Sequence, residues 1–163
     1  MEGMRLPNTG VGTYDPKQVI LTVGGVPISG YADETFISIK RSNGAAFTKK
    51  RGADGSVERV NRNSYDFTVE ITLQQTSNSN RVLDGFLGVD MVSNSGVMPL
   101  TVTDLSGTSV FVAASAWVSE DPQLDFGTDT TSRKWVIETG PAVATVGGNV
   151  ATGLAGAIAG ALT

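Results

Sequence analysis

A mainly-β fold is what this sequence predicts: a sandwich or barrel of about seven or eight short strands, with one short α-helix and a long hairpin loop. Three observations carry that expectation. Over Ser64–Gln75 the residues alternate, with Phe67, Val69, Ile71 and Leu73 on one face and Asp66, Thr68, Glu70, Thr72 and Gln74 on the other. That is the period of a strand with one buried and one wet side. Gly24-Gly25 separates the alternating Val19, Leu21 and Val23 from Val26 and Ile28, a tight-hairpin signal. Short apolar alternations divided by turn residues then recur as far as Thr139, and one stretch alone has convincing helical spacing.

In chain order, residues 1–16 read as a polar arm with Pro7, Gly10 and Gly12, and residues 17–140 as one β domain. Pro27 cannot donate to a ladder, so the return strand of the first hairpin is expected to be short or at an edge. Thr35–Arg41 and Ser64–Gln75 form a strand pair around a loop, Ser42–Asn63. Thr76-Ser-Asn-Ser-Asn80 supplies helix-start residues, and Val82, Leu83, Phe86 and Leu87 give an amphipathic helix over Arg81–Asp90 that Gly85 and Gly88 keep short. Met98–Asp104 and Val110–Val118 make another hairpin. Gln123–Phe126 reads as a short strand and Arg133–Thr139 as the last one. Residues 141–163 form a separate tail, rich in Gly and Ala, with no charged or aromatic residue.

Composition narrows the function. At 163 residues with 40% hydrophobic content, the chain is long enough for one core that buries roughly two-thirds of the unfolded surface. Histidine and cysteine are both absent, which removes Ser-His-Asp and Cys-His catalysis, zinc and haem ligation, and thiol redox chemistry. No cofactor is expected, and an enzyme is the less favoured class. Met1-Glu-Gly-Met-Arg-Leu-Pro7 has no apolar stretch of signal-peptide length. The tail is long enough to span a membrane, and Gly156-Ala-Ile-Ala-Gly160 is a small-residue pattern. Its glycines and few large apolar residues make insertion weak, so no membrane binding is expected.

Several short motifs carry little. Asp125-Phe-Gly127 copies a kinase tripeptide without any of its surroundings, and Gly10-Val-Gly12 precedes no strand-to-helix unit. Asp121, Asp125 and Asp129 have hard oxygen ligands at even spacing, yet the glycine-centred loop of a calcium hand is missing, and no metal is expected.

The long loop is the informative feature. With Arg41 it holds Lys49, Lys50, Arg51, Arg59 and Arg62 against Asp54 and Glu58, half of the twelve basic residues of the chain. Six positive and two negative charges there leave a net −8 on everything else, given the total of −4. Phe47 is the one aromatic interleaved, which is poor for nucleic acid on an acidic body. Unstructured loops above about fifteen residues are uncommon in compact domains unless functional. Arg41, Phe47, Lys49, Lys50, Arg51, Asp54, Glu58, Arg59 and Arg62 are therefore the candidate contacts to the acidic surface of another copy. The polar strip Asp66, Thr68, Glu70, Thr72 and Gln74, repeated around a ring, would make an acidic wall that repels DNA, whose backbone carries about one charge per 1.7 Å.

The order of these elements resembles phage tail tube proteins, most of all those of contractile-tailed phages. It runs from Val23-Gly-Gly-Val26 and Ile28-Ser-Gly-Tyr31 to the strand pair around Gly52-Ala-Asp-Gly55. Gln74–Asn80 then leads into Arg81-Val-Leu-Asp84, followed by Thr103-Asp104 with Ser106-Gly107 and the closing Arg133-Lys-Trp-Val-Ile-Glu138. The match covers roughly Lys17 to Glu138, and the tail after Pro141 lies outside it. The resemblance implies a virion subunit that forms hexameric rings, stacked into a hollow tube inside a contractile sheath and assembled in the bacterial cytoplasm. It implies that the hairpin loop contacts adjacent subunits and rings, and that an inner sheet lines a channel through which DNA passes without specific binding. Sheath, tape-measure and baseplate proteins are the further partners it suggests. The alternatives are a tube, terminator or baseplate component of a related injection apparatus, and a β-sandwich binding module, for which exposed aromatics in a groove would speak.

Overall fold

The computed structural model describes residues 11–148. The first ten residues of the predicted arm, and residues 149–163 of the predicted tail with Gly156–Gly160, lie outside the described residues. Asp15 accepts the Lys17 N–H at 3.0 Å and caps a single 3-10 turn, Pro16–Gln18. Strands β1 (Val19–Val23) and β2 (Val26–Ile28) follow, joined by Gly24 and Gly25 at φ +57° and +83°. Both glycines need the left-handed region, as the two-residue hairpin demands. Gly24 has a second reason: a Cβ there would lie 2.4 Å from the Phe86 ring, which packs over the turn.

The other strands are β3 (Ile37–Arg41), β4 (Phe47–Arg51), β5 (Val57–Asn61), β6 (Phe67–Gln74), β7 (Met98–Asp104), β8 (Val110–Glu120), β9 (Ser132–Thr139) and β10 (Ala142–Thr145). Eight of them make one antiparallel sheet, ordered β2-β1-β7-β8-β9-β6-β3 with β10 also on β8. The eleven-residue β8 is its spine. One edge of β8 pairs with β7, and the other is shared, Val110–Ala113 with β10 and Ala116–Glu120 with β9. The sheet folds over a single core in which Leu21, Val69, Ile71, Leu73, Leu100 and Ile137 are fully buried. The mainly-β expectation holds, and the described strands leave the barrel open between β2 and β3. Pro27 sits on that edge strand, as its missing N–H requires.

Residues 29–36 cross from one free edge to the other. Gly30 O accepts the Gln74 N–H at 2.8 Å, and Phe36 O accepts that of Thr72 at 2.9 Å. Between the edges lies an apolar cleft of about 1430 Å³ walled by Val19, Ile28, Tyr31, Phe36, Ile37 and Ile39. The Tyr31 ring packs on Phe36 with centroids 4.6 Å apart, and among the described residues its buried hydroxyl has no hydrogen bond of normal geometry. Burial pushes this phenol up to about 12, and the nearby Leu21 backbone offsets part of the rise. Because the folded value lies above the unfolded one of about 10, the contribution is intact below pH 10 and is lost as pH rises through 12. In an alkaline absorbance titration, a tyrosinate step near pH 12 is expected and should vanish in Tyr31→Phe. A Tyr31 step near pH 10 would contradict the burial.

Helix α1 (Ser79–Ser93) is longer at both ends than the apolar spacing indicated. Its N-cap Asn78 makes no side-chain cap bond. Instead the Asn80 amide donates to Gln74 O and Ser77 O at 2.9 and 3.0 Å, and its oxygen accepts Trp135 Nε1–H at 2.9 Å. The helix ends at Asn94, left-handed at φ 55°.

Three more expectations are corrected. The Ser42–Asn63 loop is not structureless, since β4 and β5 pair within it as a separate two-stranded ribbon. Gln123–Phe126 is not a strand but part of an irregular connection from β8 to β9, and among the described residues no strand pairs with it. Beyond Gly140, the start of the predicted tail continues the sheet as β10.

Candidate assembly surfaces

The ribbon has no buried residue on either strand. Lys49 lies opposite Arg59, Lys50 opposite Glu58 and Arg51 opposite Val57. Like charges facing each other, as Lys49 and Arg59 do, weaken a sheet pair, and an isolated two-stranded hairpin is marginal in water. What orders this one locally is its tip. Gly52 N–H donates to Ser56 O at 2.7 Å, and Asp54 Oδ1 accepts from Ser56 Oγ at 2.7 Å and Ser56 N at 3.0 Å. Those bonds, the hydroxyl first, hold the Asp54 carboxyl below its ordinary value. Asp54 thus serves the turn. The Arg59 guanidinium lies 4.5 Å over the Phe47 ring, and Arg62 N–H donates to Ala46 O where the chain leaves the ribbon. Phe47, Val57 and Val60 are all exposed beside the cations.

Arg41 stands apart from the other predicted contacts. It ends β3, donates to Ser64 O and covers the Phe67 ring at 5.0 Å, so it anchors the foot of the ribbon to the body.

The predicted wall residues Thr68, Glu70, Thr72 and Gln74 do share the outward face of β6, behind which Phe67, Val69, Ile71 and Leu73 are buried. Asp66 lies just before the strand. The neighbouring strands change the electrostatics. Lys134 on β9 pairs with Glu70 at 3.4 Å, and Glu138 accepts from Thr68 Oγ1 at 2.9 Å. Lys40 on β3 lies opposite Thr68. Asp66, Glu70 and Glu138 thus share the face with two lysines, and the wall is less acidic than β6 alone suggests.

Arg133 opens the run Arg133–Glu138, and the sequence alone assigns it no site role. It is buried at 4% exposure and donates to Asp125 O, Ser132 O and Thr131 Oγ1. The signal was present in the phase of β9: Arg133, Trp135, Ile137 and Thr139 alternate on the buried face. Among the described residues no group of three acidic, His or Cys residues could hold a metal ion, and no helix is long and apolar enough to cross a membrane.

No protein-family model matches the sequence. Structural protein ORF10 of Pseudomonas phage KPP10 is 29% identical over 133 residues, covering 77% of this chain and 76% of the relative. Among solved structures, a chain of the extended sheath–tube complex of PVC, an extracellular contractile injection system, superposes with a TM-score of 0.56 at 10% identity. The match covers 82% of this chain and 91% of that one. The sheath/tube terminator of the same system gives 0.55 at 12% identity, over 82% of this chain and 97% of that one. The resemblance to tail tube proteins is thereby borne out: the chain has a fold found in the sheath–tube and terminator assemblies of contractile injection systems, and its sequence is related to that of a phage structural protein.

Proposed function

We propose that this chain is a structural subunit of a phage-like contractile particle, which assembles with copies of itself as stacked hexameric rings into the tail tube through which DNA passes. The observation that carries the reading is the ribbon: ten strand residues without one buried side chain, projecting from a domain that has a complete core of its own. Basic and apolar groups left unburied on both strands find a partner in an acidic neighbour. In this assembly Lys49, Lys50, Arg51, Arg59 and Arg62 grip the adjacent copy, with Phe47 as an apolar anchor. Asp66, Thr68, Glu70, Thr72 and Gln74 face the channel, where carboxylates still outnumber lysines and the polar strip gives the duplex little to stick to. The partners beyond its own copies are sheath, tape-measure and baseplate proteins, and the tube belongs to the virion. Transit needs no bond-making, which agrees with a chain that lacks histidine and cysteine.

The similarity to a terminator supports a second reading, a ring that ends the tube. Negative-stain micrographs of the purified protein, with sedimentation, separate the two: long tubes for the first, single rings or caps for the second. A monomer at every concentration would overturn both. Reversing Lys49, Lys50 and Arg51 to Glu should raise the critical concentration for assembly at least about a hundredfold, about 2.7 kcal/mol, and leave the monomer melt unchanged.

A further inference from the structure

The receiving surface for the ribbon is on the same molecule, at its far end. Strands β6 and β9 are antiparallel, with Thr68 opposite Glu138 and Gln74 opposite Ser132. The ribbon leaves β3 at Arg41 and rejoins the sheet at Phe67, so it projects from the Phe67 end. Residues 121–131, which connect β8 to β9, lie at the Gln74 end. The eight residues of β6 hold the two apart by about 25 Å. A ribbon and a connection on opposite ends of one domain cannot meet within it.

Their chemistry is complementary. From Glu120 to Thr131 the chain carries Glu120, Asp121, Asp125 and Asp129 and no Lys or Arg. Among the described residues none of these four carboxylates forms an ion pair. Leu124 and Phe126 stand between them at 67% and 77% exposure, as Phe47, Val57 and Val60 stand exposed among the cations of the ribbon. Arg81 and Asp84 of α1 also face the hollow of about 530 Å³ behind Leu124 and Phe126, and their charges offset each other.

This connection is pinned in place. Arg133 donates to Asp125 O at 3.2 Å and its guanidinium lies 5.4 Å from the Phe126 ring centre. Thr131 donates its hydroxyl to Asp125 O at 2.9 Å and its N–H to Gln75 Oε1 at 3.0 Å. Leu124 and Phe126 are therefore presented to solvent by a segment whose ordering cost is already met, the arrangement that favours docking.

We infer that residues 120–131 receive the basic ribbon of a second copy, an inference that rests on the self-assembly reading above. Because the two surfaces differ and occupy opposite ends, the contact is head-to-tail and propagates along the strand direction.

Charge reversal on both sides tests it. Asp121→Lys, Asp125→Lys and Asp129→Lys together should raise the critical concentration at least about tenfold, and Lys49, Lys50 and Arg51 to Glu at least about a hundredfold. Combining both sets in one chain should recover at least tenfold over either alone. Leu124→Ser with Phe126→Ser should weaken assembly without touching charge, and both positions are exposed, so the circular dichroism melt serves as the folding control. Assembly blocked by ribbon reversal yet unaltered by both the acidic reversal and the serine pair would overturn this inference alone. A wild-type chain that never assembles would overturn it together with the tube reading.

Discussion

Leu83→Ala is expected to cost about 3–4 kcal/mol and to loosen α1 ahead of the sheet. Leu83 is the fully buried apolar residue of the helix, with Val82, Phe86 and Leu87 only partly covered. Truncating a buried leucine removes its transfer energy and leaves a cavity, and the cost approaches the upper range where the surroundings cannot collapse. Here the surroundings are the strands of the sheet, β8 above all, which is paired on both sides, and they yield little. The helix also has weak independent means: Gly85 and Gly88 each cost about 1 kcal/mol relative to Ala, and fifteen residues are marginal in isolation. Against a total stability on the order of 5–15 kcal/mol, the loss is large. Urea unfolding measures the total, and hydrogen exchange resolved to residues 79–93 should show the helix opening first. A loss below about 1 kcal/mol would mean that Phe86, seated on Gly24, is the true anchor.

Arg133→Ala is expected to cost about 2–3 kcal/mol, and Arg133→Met less than about 1 kcal/mol. The guanidinium is buried, and its acceptors among the described residues, two backbone carbonyls and one hydroxyl, are neutral. Desolvating a cation without a carboxylate is costly, so removing the charge returns free energy, provided the volume is kept. Methionine keeps most of the volume; alanine leaves a hollow beside Trp135 and Phe126 and exposes the carbonyls. The two variants should nevertheless agree in one respect. Both lose the bond to Asp125 O, so exchange protection across 121–131 should fall in each. Equal destabilisation by Met and Ala would show that the hydrogen bonds, rather than packing, supply the stability.

The parts of the fold that were legible in the sequence are those where apolar period and burial coincide. Strand β6 reads at once because every second residue enters the core, and the first hairpin because Gly24-Gly25 has the turn chemistry its geometry demands. The ribbon was opaque for the opposite reason. Lys49-Lys50-Arg51 runs through a strand with no inside, so nothing alternates, and Val57 and Val60 both face solvent. Leu124 and Phe126 misled in the other direction: their spacing is that of a strand, but both side chains point to water and no ladder forms. Small residues hid β10, whose Ala142 and Val143 follow a proline and precede a glycine-rich run. The candidate site divided likewise. The ribbon cations and the β6 strip were named from charge and alternation, whereas Lys40, Lys134 and Glu138 came into view only with the strand order, which decides who shares a face.

Strand β10 carries one more consequence, for anyone who shortens or extends this chain. Ala142–Thr145 occupies the main-chain positions of Val110–Ala113 that β9 does not reach. A chain cut after Gly140 would leave the β10-facing donors and acceptors of alternate residues in Val110–Ala113 open to any passing backbone, with Val110 and Val112 already at the surface. Fluorophores or affinity handles joined beyond Gly148 keep that stretch sealed, while truncations before Ala142 turn the middle of the sheet into adhesive.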